Sequence, residues 1–136
     1  MPGRPDLSIM FYWNRRFDLL RCFLKSKLHR MVVTQAELDY VGSITIDRDL
    51  MDRAGLLPNE KVLVANIHTG SRFETYVLEG IRGSGTICIN GAAARLCSPG
   101  DRVIILQFAW MDMGKENPPE PTVVVADHRN LNPREI

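Results

Sequence analysis

The stretch KVLVANIHTGSRFETYVL, residues 61–78, carries the clearest signal for the fold. Lys61 to Ile67 is rich in β-branched residues, which is typical of a strand. Arg72 to Leu78 has the same character and predicts a returning strand. Between them, His68 to Ser71 contains Gly70, which favours a tight turn. This stretch therefore predicts a β-hairpin.

Three further elements are predicted upstream of the hairpin. Leu28 to Gln35 is expected to form one strand, and Ser43 to Ile46 a shorter one that follows Gly42. A small helix comes next, because Asp47 can cap its first turn and Gly55 can end it. Its apolar side would consist of Leu50, Met51 and Ala54.

Downstream of the hairpin, short strands continue. Thr86 to Ile89 is predicted as a strand, and Asn90 to Ala94 as a turn that opens a helix of one or two turns. Arg102 to Phe108 is the most apolar strand, and Thr122 to Ala126 is the last one. Many short strands with very short helices favour a mainly β fold, a small mixed-sheet barrel, over a wound α/β sheet.

The composition excludes several classes of protein. The 136 residues suit one compact domain, with 45% hydrophobic and 24% charged residues. No apolar run approaches the roughly 18–20 residues that span a bilayer, and no secretory signal is recognised, so we expect a cytoplasmic protein. Cys22, Cys88 and Cys97 are odd in number and lack CxxC spacing. We therefore expect reduced, packed thiols and no metal site.

The pair Gly42-Ser43, between two predicted strands, is the first candidate for chemistry. The hydroxyl of Ser43 is an intramolecular nucleophile for the carbonyl before it, and glycine tolerates the strained backbone that such an attack needs. Such a pair is usually an ordinary turn. Tyr40 lies two residues before Gly42 and adds a polar ring to the same segment.

Other polar residues share strand faces. Lys27 and His29 alternate onto one face of the first strand, whereas Arg72, Glu74 and Tyr76 share a face of a later one. Each of these side chains has a structural alternative. The cations can be solvated surface charges, the histidine a packed barrel residue, and the tyrosine a packed ring with a wet hydroxyl.

Taken together and in order, several strings resemble the aspartate 1-decarboxylase family, the pyruvoyl-dependent enzymes that make β-alanine for pantothenate. The strings are KSKLHR (25–30), VTQAEL (33–38), YVGSITID (40–47), RFETY (72–76) and NGAAAR (90–95). The resemblance runs from about Leu19 to Ala126.

The resemblance implies a six-stranded double-psi β-barrel and a homotetramer with active sites between subunits. It also implies that the precursor cleaves itself at the Gly42–Ser43 bond. The Ser43 hydroxyl would attack the Gly42 carbonyl and give an ester, and elimination and hydrolysis would then release ammonia. A β chain ending at Gly42 and an α chain beginning with a pyruvoyl group derived from Ser43 would result.

The mature site follows from the same resemblance. An imine between the substrate amine and the pyruvoyl ketone would accept the electrons left by decarboxylation, with no pyridoxal phosphate and no metal. Arg72 and Lys27 would bind the carboxylates of L-aspartate, and Tyr76 would return the proton to Cα. The other implied residues are Tyr40 in catalysis, beside Gly42 and Ser43, and His29, Thr75, Asn90, Gly91, Ala92 and Ala93 in substrate binding.

Strict alternation sends Thr75 and Tyr76 to opposite faces of their strand, although the resemblance assigns both to one site. Two explanations are open. A site assembled from two subunits would unite them, and so would a local bulge in the strand.

The ends of the chain match the family less well. Its members typically begin near position 19, so residues 1–18 are expected to be a non-native or disordered extension, with the true start codon at position 19. Residues 19–126 would form the barrel domain, and the tail, 127–136, receives no function.

The alternative function is a barrel-type module that does not process itself and binds nucleic acid. The basic segment from Arg15 to Arg30 favours it. Against it, 17 basic and 16 acidic residues nearly cancel, and the chain contains no recognition motif for DNA or RNA.

Overall fold

A computed structural model describes Gly3 and residues 19–136 of the chain. The predicted N-terminal extension, residues 1–18, therefore lies outside the described residues except for Gly3. No helix in the described part of the chain is long and apolar enough to cross a membrane. The cytoplasmic location stays a prediction.

The described residues are mainly β-structure with short helices, so the predicted fold class is confirmed. The strands are β1 (Leu20–Val32), β2 (Gln35–Glu37), β3 (Ser43–Asp47), β4 (Lys61–Asn66), β5 (Arg72–Gly80), β6 (Ile87–Asn90), β7 (Arg102–Asp112), β8 (Thr122–Val125) and β9 (Arg134–Glu135). The helices are α1 (Arg48–Ala54) and a 3-10 helix (Gly91–Leu96).

The strands pair in the order β2-β6-β3-β5-β4-β7-β1-β8-β9. Three neighbouring pairs are parallel, β1 with β8, β2 with β6 and β3 with β5, and the other pairs are antiparallel. The mixed sheet agrees with the sequence prediction. The six-stranded double-psi barrel itself stays a prediction, because the hydrogen-bonded pairs among residues 19–136 give an order that runs from β2 to β9.

The core lies on one face of β3 and β6, as alternation along a strand requires. Ile44 and Ile46 in β3, and Ile87 and Ile89 in β6, have no exposed surface. The opposite face of these two strands carries polar side chains, and it is this face that presents Ser43.

The helix prediction is confirmed together with its caps. The Asp47 side chain accepts a hydrogen bond from the Asp49 backbone N at 2.9 Å, and Gly55 ends α1 with a φ of 72°. Asp47 also accepts hydrogen bonds from the backbone N atoms of Gly83 (3.0 Å) and Gly85 (2.8 Å). One buried carboxylate therefore fixes the end of β3, the start of α1 and the loop before β6.

The predicted strand from Leu28 to Gln35 is wrong in both bounds. β1 begins at Leu20 and ends at Val32, and Gln35 belongs to the separate strand β2. A register shift between Leu28 and Met31 interrupts the alternation, so that both side chains are buried although they lie three residues apart. Local pattern cannot reveal such a shift, because the partner strand β7 determines it.

The C-terminal tail packs against the rest of the chain. Asn130, which is 1% exposed, accepts a hydrogen bond from the Val32 backbone N and donates to the backbone oxygens of Val32 and Gly85, at 2.8–2.9 Å. The strand β9 in this tail was not predicted, and it pairs with β8. Residues 127–136, to which no function was assigned, therefore have a structural role.

Candidate active site

Ser43 begins β3 and is completely buried. Its Oγ donates a hydrogen bond to the backbone oxygen of Val41 at 3.2 Å. In the antiparallel pairing of β3 with β6, Ser43 lies opposite Asn90. The Asn90 side chain is also buried, and its Nδ2 donates to Ser43 Oγ at 2.9 Å and to Thr45 Oγ1 at 3.1 Å. A carboxamide therefore holds the candidate nucleophile.

A thiol completes the hydrogen bonding of this carboxamide. Cys88 Sγ lies 3.2 Å from Asn90 Oδ1, and donates to it. Burial raises the pKa of the Cys88 thiol, and the negative charge of Glu37 raises it further. Sequence analysis missed Cys88 and Thr45 as members of this cluster. The available signal was the alternation in Cys88-Ile89-Asn90, which puts both polar side chains on one face of β6.

Gly91 allows two backbone segments to touch at the Gly42–Ser43 bond. Its φ is 72°, and a Cβ built there would lie 2.6 Å from Gly42 Cα and 3.1 Å from the Tyr40 backbone oxygen. Any larger residue would collide with the backbone. The structure thus brings the predicted residues Tyr40, Gly42, Ser43, Asn90 and Gly91 together, with Ala92 and Ala93 following in the 3-10 helix.

Thr75 and Tyr76 lie on opposite faces of β5. The register of β5 with β4 is continuous, with Thr75 opposite the buried Val62 and Tyr76 opposite the exposed Lys61. The local-bulge explanation is therefore wrong. In the parallel pairing of β3 with β5, Ile44 lies opposite Val77, and extending this register by one residue puts Tyr76 beside Ser43.

The predicted cationic residues lie away from Ser43 within one chain. Lys27 in β1 pairs with Leu106 in β7, and four strand-to-strand steps separate β1 from β3, or about 19 Å along the sheet. Arg72 lies four residues before Tyr76 on β5, or about 13 Å. Among the described residues, neither cation forms a hydrogen bond or ion pair with the Ser43 cluster.

His29 also lies on β1, beside Lys27. Its Nδ1 is buried and has no hydrogen-bond partner in the part of the chain that the structure describes. Burial lowers the pKa of His29, and the positive charges of Lys27 and Arg30 lower it further. The ring is therefore neutral at neutral pH.

Lys27 shares one face of the sheet with large apolar side chains. We call Leu63, Leu106, Phe108 and Trp110 the outer apolar face, because they point away from the core on β4 and β7. Trp110 is 69% exposed and Phe108 is 42% exposed. A cavity of about 370 Å³ opens there, and three of the four residues line it.

The surroundings of Ser43 fit a group made from its own side chain. The hydroxyl is buried, it directly follows the Gly42 carbonyl, and a buried amide holds it. Among the described residues, by contrast, no group of three or more His, Cys, Asp or Glu side chains is arranged to hold a metal ion.

Comparisons with known proteins give one consistent result. The family model described as aspartate decarboxylase matches residues 19–132. The chain is 60% identical over 107 residues to an aspartate 1-decarboxylase of Pelotomaculum thermopropionicum, covering 79% of this chain and 81% of that protein. It is 57% identical over 110 residues to an aspartate 1-decarboxylase of Thermoanaerobacter pseudethanolicus, covering 81% of this chain and 94% of that protein.

Proposed function

The chain belongs to the aspartate decarboxylase family, and from this premise we propose that it converts L-aspartate to β-alanine and CO2, for pantothenate biosynthesis, after cleaving itself at Gly42–Ser43. Within the structure, one observation carries the proposal. The buried Ser43 hydroxyl lies next to the carbonyl that it would attack, and Asn90 Nδ2 holds its oxygen at 2.9 Å.

The cleavage needs only this chain and one water molecule. Ser43 Oγ forms a bond to the Gly42 carbonyl carbon through a five-membered ring, the C–N bond breaks, and the freed amine takes the hydroxyl proton. Loss of the Ser43 Cα proton then breaks the bond between Cβ and Oγ, which leaves Gly42 as a carboxylate and residue 43 as dehydroalanine, and the proton departs with the ammonia released in the next step. Hydrolysis of the resulting dehydroalanine consumes water, releases ammonia and leaves the pyruvoyl group.

The pyruvoyl group supplies a ketone that holds the substrate amine and accepts the electron pair left when CO2 departs. The chain's own residues bind the substrate carboxylates and return the proton to Cα. Arg72 is suited to a bidentate pair with one substrate carboxylate, and Lys27 to a point contact with the other. Tyr76, beside Ser43 by strand register, donates the proton to Cα. The small side chains of Ala92 and Ala93 let the substrate approach the backbone.

We propose that the active site forms between subunits of a homotetramer. Lys27 lies four strand-to-strand steps from β3, and among the described residues it forms no hydrogen bond or ion pair with the Ser43 cluster of its own chain. Tyr40 and Val41, next to the cleavage bond, are 58% and 72% exposed. Packing of Tyr40 and Val41 against the outer apolar face of a neighbouring subunit would bury both surfaces. Such a contact joins two different surfaces of neighbouring subunits, and it is formed by every subunit when the subunits are arranged in a closed ring.

Gly91→Ala is expected to slow self-cleavage by more than about tenfold, because its Cβ would lie 2.6 Å from Gly42 Cα. The cleaved fraction is followed by denaturing gel electrophoresis. Gly70→Ala is the matched control, since Gly70 has a similar φ of 74° but open space around it. Equal cleavage rates in the two variants would show that the contact between Gly91 and Gly42 is unimportant.

Mixing two inactive variants tests the shared site. Ser43→Ala subunits keep Lys27, and Lys27→Ala subunits keep the pyruvoyl group, so co-expression creates hybrid sites with both. Random assembly at equal amounts should restore about one quarter of the wild-type sites, measured as β-alanine formed from L-aspartate. Co-expressed samples no more active than their parents would place Ser43 and Lys27 of one chain in the same site.

A further inference from the structure

Asn90 uses both ends of its carboxamide in the buried cluster at Ser43. Its two N–H groups donate to Ser43 Oγ and Thr45 Oγ1, and its oxygen accepts from Cys88. Asn90 and Cys88 are 3% and 5% exposed, so water does not compete for these bonds. Cys88 is thus the hydrogen-bond donor that occupies the oxygen end of the amide.

The orientation of the amide decides what happens to the Ser43 hydroxyl. As placed, the amide donates to Ser43 Oγ, and the hydroxyl proton is directed to the Val41 oxygen. If the amide were rotated by 180°, its oxygen would face Ser43 and Thr45 and would accept their hydroxyl protons. Ser43 Oγ would then no longer accept a hydrogen bond from Asn90, and the position of the oxygen would be less restricted.

We propose that Cys88 is a positioning residue for self-cleavage, whose thiol holds the Asn90 amide in the orientation that donates to Ser43. This inference rests on the proposed function. It concerns a side chain that neither touches the scissile bond nor forms part of the substrate site.

The state of the thiol supports this role. Only the protonated thiol can donate to Asn90 Oδ1. Because burial and the charge of Glu37 raise its pKa, Cys88 remains a thiol at neutral pH. Thiols are weak donors, yet without this one the buried amide oxygen has no partner within the cluster, and the carboxamide is then held from its nitrogen end alone.

Two substitutions separate hydrogen bonding from packing. Cys88→Val fills the space but has no donor, and we expect it to slow self-cleavage of the freshly purified precursor by about tenfold. Cys88→Ser keeps a donor and should cleave within about threefold of the wild-type rate. A role in packing alone predicts the reverse order, because the smaller serine side chain would leave a void that valine fills.

Cys97→Val is the matched control. Cys97 is also 5% exposed, and its Sγ lies near Asn66 rather than Asn90. We expect this variant to cleave at the wild-type rate. Cleavage is measured by intact mass over time, with melting temperatures for all variants.

The inference is overturned if Cys88→Val cleaves as fast as wild type, if Cys88→Ser is as slow as Cys88→Val, or if Cys97→Val is slowed equally. Failure of the proposed function has a different signature, since the wild-type chain itself would then remain uncleaved.

Discussion

Ser43→Ala is expected to leave the chain as one uncleaved polypeptide that forms no β-alanine. Alanine has no hydroxyl to attack the Gly42 carbonyl, and no other nucleophile can generate a ketone at this position. The fold should persist, because Ile44 and Ile46 supply the core contacts of β3. Denaturing gel electrophoresis and a β-alanine assay measure both outcomes.

Ser26→Ala is the matched control for this substitution. Ser26 is also buried, at 1% exposed, and its Oγ donates to Gln107 Oε1 at 2.7 Å. Losing that bond is expected to lower the melting temperature while cleavage continues. Decarboxylation of aspartate by the Ser43→Ala variant would refute the pyruvoyl mechanism.

Tyr76→Phe is expected to leave self-cleavage intact and to lower kcat for aspartate by about 10²–10⁴-fold. The ring remains, but the hydroxyl that donates a proton to Cα is lost, and general acid catalysis typically contributes a factor of that size. Steady-state kinetics on fully cleaved enzyme measure the effect. The cleaved fraction serves as the internal control, because it separates a defect in turnover from a defect in maturation.

A kcat for Tyr76→Phe within about threefold of wild type would assign the proton to another donor. Loss of cleavage in this variant would instead move Tyr76 from turnover to maturation. The first outcome would leave the position of Tyr76 beside Ser43, which follows from the extended strand register, without a catalytic consequence.

Much of the fold could be predicted from local pattern. The hairpin of β4 and β5, the strand β3 and the capped helix α1 were predicted to within two residues at each end. In each of them, alternation, a cap or a turn glycine acts within a few residues.

The early start of β1 and the short strands β2 and β9 could not be predicted in this way. β2 and β9 contain three and two residues, and each exists only because a distant strand pairs with it. A local pattern contains no information about that partner.

The candidate site was likewise predicted only in part. The motif strings identified Gly42, Ser43, Asn90 and Gly91, and the fold brings these residues into contact. Cys88 was interpreted only as a packed thiol. Alternation along β6 puts it on the same face as Asn90, but the hydrogen bond between the two also depends on side-chain torsions, which a local pattern does not predict.

Lys27 and Arg72 were assigned to the site by resemblance, yet within one chain Lys27 lies four strand-to-strand steps from Ser43, and Arg72 lies four residues before Tyr76 on β5. We propose that a second subunit supplies what a single chain lacks. A contribution of that kind would be a property of the assembly, which no local sequence pattern encodes.

Denaturing mass spectrometry of the purified wild-type protein tests self-cleavage most directly. We expect two chains, one ending at Gly42 and one comprising residues 43–136 with a mass about 17 Da below that of a serine-started chain, because conversion of Ser43 to a ketone removes one ammonia. Borohydride with aspartate should add the substrate to the second chain. A single intact chain after prolonged incubation, unmodified by that treatment, would contradict the proposed enzyme.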